Sequence, residues 1–338
     1  MFKKRPLTLA MAVLALAGSA VAVSAPAEAA GYTTGGAIGA LYNAQGRTIG
    51  APTSNEYSGH ADRVQNFRYG LIYWSPATGA HSVRGGILGE YRRLGTDAGK
   101  LGLPITEEKR TVGGGVYQQF KGGIIYWTPA TGAHATFGAI RSTYAQYGAE
   151  RYGMGFPTSG EISVKIAGAS FVYQTFEHGM ISWNGVRVPV FNEDPTHAHG
   201  VYGDFYKEYL AAGGVKVVGY ISSDQVIGVL GGISGTMAAG GQWFQNGGIV
   251  SKTDTGVHYL PNAWLDVITP EVQATLGFPT SGVHAVADGK AVDFENGSIT
   301  QSPDGKLTVI PKTRPTPPTG APESSQLPGL TGRAGLIP

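Results

Sequence analysis

The 338-residue sequence carries only 14% charged side chains, with 53 glycines, 20 prolines and no cysteine. This composition excludes disulfide scaffolding, thiol catalysis and cysteine-ligated zinc, and it is too rich in turn formers for long helices. Aromatic residues at 10% also exclude a disordered polar chain.

Residues 1–29 read as a secretory signal peptide. Lys3, Lys4 and Arg5 form a basic start, Leu7 to Val23 an apolar stretch, and Ala27-Glu28-Ala29 a small-residue cleavage site. Its removal leaves 22 basic and 22 acidic residues, so the pI of about 8.6 belongs largely to the leader. A nucleic-acid binder is not indicated. No later stretch is long and apolar enough to span a bilayer, so a secreted chain with no membrane span after cleavage is expected.

Beyond the leader a short motif recurs: Ile49-Gly50-Ala51-Pro52-Thr53-Ser54, Leu101-Gly102-Leu103-Pro104-Ile105-Thr106, Met154-Gly155-Phe156-Pro157-Thr158-Ser159 and Leu276-Gly277-Phe278-Pro279-Thr280-Ser281. Val218-Gly219-Tyr220-Ile221-Ser222-Ser223 is a degenerate copy, with Ile221 where the others have proline. An internal repeat of this period overrides the two-domain expectation that length alone would raise. Chemically each copy is a tight, half-buried corner: an aliphatic residue, a glycine free to take positive φ, a proline that fixes φ, and hydroxyls that bond the backbone.

Five modules follow in order, at about residues 33–84, 85–137, 138–190, 197–259 and 260–310. The second shows the plan. Ile87, Tyr91 and Leu94 stand at i, i+4 and i+7, the spacing of a short helix with one apolar face. The corner comes next, then a polar stretch over Glu107–Arg110 and a break at Gly113-Gly114-Gly115. Val116–Phe120 and Ile124–Trp127 read as a hairpin around Lys121-Gly122-Gly123. Thr128–His134 reads as a closing turn. The first module repeats the plan with Ile38, Tyr42 and Leu71–Trp74; the third has Ile140, Tyr144 and Met180–Trp183, then a turn signal at Asn184-Gly185. The fourth carries an insertion over Phe191–His199 before its helix, and the fifth has a worn hairpin at Val292–Phe294 and Ser298–Thr300. From Pro311 a proline-rich, extended tail runs to Pro338. The expected fold class is α+β and β-rich, with tandem modules of a short helix plus a β-hairpin. A module of about 50 residues buries too little surface to stand alone, so modules stack on their neighbours.

These motifs resemble the LGFP-repeat family of secreted actinobacterial cell-wall-associated proteins, over about residues 33–310. The corner, the Gln-x-Phe strand, the Ile-Tyr-Trp strand and the Thr-Gly-Ala-His turn recur together and in order. In that family the repeats often sit beside an enzyme such as a mycolyltransferase or an amidase. The resemblance implies a compact, ring-like pseudo-propeller and wall attachment, with cell-wall polysaccharide, arabinogalactan or peptidoglycan, as partner of a monomer. This chain departs from the family in showing no enzyme motif beside the repeats and no proline at Ile221.

Tyr73, Trp74, Tyr126, Trp127 and Trp183 are the candidate ligand contacts, because sugars lay flat C–H faces on aromatic rings. Alternation along a strand sends one residue of each Tyr-Trp pair inward and one outward. The other reading packs the tryptophans between modules. Gln65, Gln118 and Gln174 either bond sugar hydroxyls or satisfy buried backbone. His81 and His134 either meet a ligand or bond a neighbouring turn. Gly50, Pro52, Gly102, Pro104, Gly155, Pro157, Gly219, Gly277 and Pro279 are assigned to the corners. Glu193, Asp194, His197 and His199 have metal-like spacing, but a solvated loop explains them as well, so no metal is assigned. No G-x-S-x-G, H-E-x-x-H or P-loop is present, and no cofactor or catalytic residue is assigned. Glu56, Glu107 and Glu161 recur after the corners, whereas a catalytic pair should occur once. Non-catalytic, multivalent polysaccharide binding is the expected function. A secreted wall hydrolase or esterase, or a scaffold for protein partners, are the alternatives.

Overall fold

A computed structural model describes residues 31–60, 63–166, 168–185, 198–227 and 239–313. The leader, most of the 191–199 insertion and the tail beyond 313 lie outside the described residues. The chain is β-rich, with five antiparallel sheets whose strands are hydrogen-bonded in chain order. The sheets are β1–β4 (Tyr57–Ser58, Arg63–Phe67, Gly70–Ser75, Gly79–Arg84), β5–β8 (Lys109–Arg110, Val116–Gln119, Gly123–Thr128, Gly132–Phe137), β9–β12 (Ile162–Ile166, Ala169–Phe176, Gly179–Trp183, His199–Tyr202), β13–β16 (Val226–Ile227, Ala239–Phe244, Gly247–Lys252, Gly256–Pro261) and β17–β20 (His284–Val286, Gly289–Phe294, Gly297–Gln301, Leu307–Pro311). Helices α1 (Gly36–Ala44), α2 (Gly85–Arg93), α3 (Gly138–Gln146) and α4 (Gly203–Ala211) precede the first four sheets. A short α5 (Gly214–Val217) follows α4, and α6 (Asn262–Leu265) with α7 (Pro270–Leu276) precedes the fifth. No described helix is long and apolar enough to cross a membrane.

Two features depart from the sequence reading. The expected closing turn is short and runs straight into a fourth strand, as at Gly79–Arg84, which then feeds the next helix. The fifth hairpin is not worn either: β18 and β19 pair along their length and β20 completes the sheet.

The corner motif closes each hairpin by the same means. The aliphatic side chains of Ile49, Leu101, Met154, Val218 and Leu276 are fully buried. Their carbonyls accept from the hairpin-turn amides of Tyr69, Gly122, His178, Asn246 and Asn296. The glycine takes positive φ in all five copies, and the fourth residue bridges a buried phenylalanine: Pro52 with Phe67, Pro104 with Phe120, Pro157 with Phe176, Ile221 with Phe244 and Pro279 with Phe294. The last hydroxyl accepts a strand N–H, as Ser54 does from Asn66 at 3.1 Å and Ser281 from Asp293 at 2.9 Å. Proline suits the fourth position because no N–H is needed there. Where Ile221 replaces it, the extra N–H is given to Ser182 Oγ at 2.9 Å, so the degenerate corner keeps its geometry.

The helix docks on this corner through one tyrosine. Tyr91, Tyr144 and Tyr209 are buried and donate to the carbonyls of Gly102, Gly155 and Gly219 at 2.9, 2.7 and 2.8 Å. Their rings lie against the bridging phenylalanines at centroid distances of 4.7, 4.5 and 5.3 Å. Burial raises the Tyr91 and Tyr209 hydroxyls well above the usual phenol range, so they act as neutral donors.

By contact density the residues fall into two compact units, one comprising residues up to 110 with 116–127 and the other 111–115 with 128 onward. In the first, Ile38, Tyr42, Ile49, Phe67 and Ile72 form the core of the first repeat. In the second, cores run across repeats: Met180 and Val201 of the third sheet pack with Phe205 and Tyr209 of α4 and Phe244 of the fourth sheet. Val250 and Leu260 of the fourth pack with Leu276, Val292 and Phe294 of the fifth. This sharing is the neighbour burial that short repeats need.

Candidate functional site

Alternation on the third strand of each sheet settles the aromatic pairs. Tyr73 and Tyr126 are buried, and Tyr73 meets Tyr91 edge-on at 5.7 Å. Trp74 and Trp127 are half-buried, and Trp183 is 38% exposed. Trp74 packs on the core beside α1. Trp127 and Trp183 each stand opposite a valine of the second strand, Val116 and Val172, and each lines an open groove.

The Trp127 groove, about 610 Å³, lies at the start of α2 within the first unit. The indole rests on Gly86, where any side chain would collide with it. Arg68, Tyr69, Arg84, Arg92 and Glu108 complete the walls. The Trp183 groove, about 510 Å³, lies in the second unit, with buried Phe171 beneath it and Lys165 and Asn184 at its rim. A third groove, about 390 Å³, repeats the Trp127 site in the fourth repeat, with Tyr202, Asp204 and Gln225 where the second has Arg84, Gly86 and Glu108. There Ser251 takes the place of the tryptophan.

The repeated glutamines sit in the interior, not in the grooves. The Gln118 amide donates to the Ser82 and Thr106 carbonyls, both at 2.8 Å. Gln65 bonds Thr33 and Ser54, Gln174 bonds Ala135 and Ser159, and Gln242 bonds Gly200 and Ser223. Each amide therefore ties a corner carbonyl of its own repeat to a carbonyl upstream of its helix. With both N–H donors spent on backbone and the side chain closed to water, these groups are structural. His81, His134 and His258 fold back the same way: Nε2 donates to the carbonyl of Thr78, Thr131 and Thr255 at 2.9, 2.9 and 2.7 Å. A carbonyl can only accept, which places the proton on Nε2.

The family model for the LGFP repeat matches three adjacent segments, residues 49–99, 101–151 and 154–216. The chain is an LGFP-repeat protein. Each LGFP match begins at the buried aliphatic residue of a corner and takes in the helix that follows the sheet. No curated protein matches the chain. Among solved structures it is similar to virginiamycin B lyase from Staphylococcus aureus, at 10% identity over 77% of this chain and 70% of that one, with a TM-score of 0.13. A streptogramin B lyase structure is similar at 9% identity over 77% and 68%, with a TM-score of 0.14. Likenesses this weak carry no argument about fold or function.

The joints between LGFP repeats use carboxylates that the sequence did not single out for this purpose. Glu107 accepts from Gln45 Nε2 at 2.8 Å, Ser82 N at 3.0 Å and Ser82 Oγ at 2.6 Å, and lies 3.1 Å from His81 Nδ1. Asp224, at the same place after the fourth corner, accepts from Tyr147 Oη at 2.8 Å and lies 3.2 Å from His199 Nδ1. At the next joint Gly282 has no side chain, and Glu208 of α4 reaches across to the Tyr259 amide at 2.8 Å. His199 is thus the third-sheet counterpart of His81. Glu193, Asp194 and His197 lie outside the described residues. Glu56 is held by Arg63 at 2.6 Å. Arg68, Tyr69, Arg84 and Arg92 were missed as site residues. The signal available was Arg68-Tyr69, which stands in the first hairpin turn where the second has Lys121-Gly122.

Proposed function

We propose that this LGFP-repeat protein is a non-catalytic, multivalent binder of cell-envelope polysaccharide. The observation that carries the reading is that the same strand position, Trp127 in one repeat and Trp183 in the next, presents an aromatic face to an open groove, the two grooves having in common this tryptophan and the valine opposite it. An aromatic face in an open groove suits a chain of sugars better than a small substrate, which needs an enclosing pocket. The glutamines, tyrosines and corners enter as supports of this face, not as contacts. LGFP repeats are associated with cell-surface proteins, which agrees with the exported state expected from the leader. Arabinogalactan or peptidoglycan is the ligand the family resemblance implies, and the ring-like arrangement of five repeats in a monomer belongs to the same proposal. Several weak sites on one polymer gain avidity without any single tight site.

Co-sedimentation of residues 30–338 with purified walls, before and after stripping of the arabinogalactan, tests this. Binding that is lost on stripping, with no sugar released into the supernatant, is the expected result. Release of soluble fragments would replace the reading with a hydrolase. Absence of both binding and release would leave a scaffold for protein partners.

A further inference from the structure

The Trp127 groove differs from the other two in charge. Arg68, Arg84 and Arg92 line it, and Glu108 is its one acidic wall residue. No carboxylate within ion-pair distance neutralises any of the three arginines among the described residues. Arg84 bonds only the neutral hydroxyl of Thr48, at 3.2 Å. Arg68 stacks on the Tyr69 ring at 5.4 Å. The acid nearest Arg92 in sequence, Glu90, is already taken by Arg93 at 2.6 Å. By contrast, the Trp183 groove holds a single lysine, and in the third groove Lys252 is paired with Glu295.

The geometry points to the Trp127 groove as the site for an anionic group carried on the glycan, a phosphate or a carboxylate. This rests on the polysaccharide reading above and makes the second repeat the charge-selective one. A guanidinium presents paired donors that match either oxyanion, and Tyr69 and Trp127 offer ring faces to the sugar that carries it. Three arginines confined to one groove of a chain with 22 basic and 22 acidic residues after the leader suit an isolated charge on a saccharide. A nucleic acid would need a longer basic track.

The test is calorimetric titration of residues 30–338 with a neutral galactose oligomer, the same oligomer bearing one phosphate monoester, and a galacturonate oligomer. A single-stranded oligonucleotide is the control. The variant is R68Q/R92Q, since both residues are exposed and neither supports the core. One or both charged oligomers should bind about 10- to 100-fold tighter than the neutral one, as charge-assisted hydrogen bonds allow. The variant should erase that preference, and raised salt should weaken it. The stronger of the two charged ligands names the group. Equal affinity for neutral and charged oligomers, or a preference that survives in R68Q/R92Q, would overturn the inference and leave the polysaccharide reading standing. Failure of all three sugars would sink both. Arginine-dependent binding of the oligonucleotide alone would overturn the glycan assignment.

Discussion

Gly155 and Gly102 hold the same place in successive corners, both at positive φ, but they meet different neighbours. A Cβ at Gly155 would sit 2.5 Å from Glu177 Oε2 and 3.0 Å from its Cβ, whereas at Gly102 the nearest atom is Lys121 Cβ at 3.5 Å. Gly102→Ala should therefore cost only the left-handed backbone penalty, about 1–2 kcal/mol, and Gly155→Ala about 2–4 kcal/mol. Urea midpoints of the two variants would check the difference, and equal losses would show that contact adds nothing to the backbone term. The glycines were legible because positive φ leaves a direct mark in sequence. The glutamines were not: a repeated Gln on a strand looks alike whether its amide faces a sugar or two carbonyls. Gln174→Leu should cost about 2–5 kcal/mol, since the Ala135 and Ser159 carbonyls both lose a donor, and thermal melting would register it as a large fall in Tm.

At the scale of the element, the fourth corner shows why the motif tolerates change. Ser182→Ala strips the buried Ile221 amide of its acceptor and should cost about 1–3 kcal/mol. In an Ile221→Pro background that amide no longer exists, so the same substitution should cost much less. A double-mutant cycle with a coupling near zero would remove Ser182 from the explanation. The sequence marked this corner as degenerate but did not show its partner, which stands 39 residues away on another sheet. The fourth strands were hidden for a related reason: Thr-Gly is a strong turn signal, and in the first repeat the strand that follows buries only Ser82 and Val83, too brief an alternation to register. A joint between elements also sets a pH response. Hydrogen bonds from Lys252 and from the Phe278 amide hold the Glu295 carboxyl below the usual range. A lowered folded value means that its stabilisation is complete above the unfolded carboxylate range and is lost as pH falls through the folded value. Glu295→Gln should flatten the acid limb of Tm against pH, and an unchanged limb would place that response elsewhere.

At the scale of the molecule, the repeat period and the β-rich class were legible, because each follows from local chemistry recurring along the chain; alternation required one residue of each Tyr-Trp pair to face inward but did not say which. The arginine-walled groove was not. It is assembled from a hairpin turn, a strand end and a helix of separate segments, and nothing in their spacing marks them as neighbours. If the polymer engages several repeats, loss of one tryptophan should weaken wall binding partially, and Trp127→Ala with Trp183→Ala together more than in proportion, by the arithmetic of avidity. Trp183→Ala is the cleaner single variant because its ring is the more exposed.

The indole N–H signals of the five tryptophans, assigned by single substitution and followed by NMR as soluble arabinogalactan fragments are added, test the groove assignment most directly. Trp127 and Trp183 should shift with a common saturation curve, while Trp264, 4% exposed in the core of the fifth repeat, should stay still. Shifts confined to Trp243, which is 40% exposed but lines none of the three grooves, or no indole shift at fragment concentrations that retain the protein on walls, would contradict binding through these grooves.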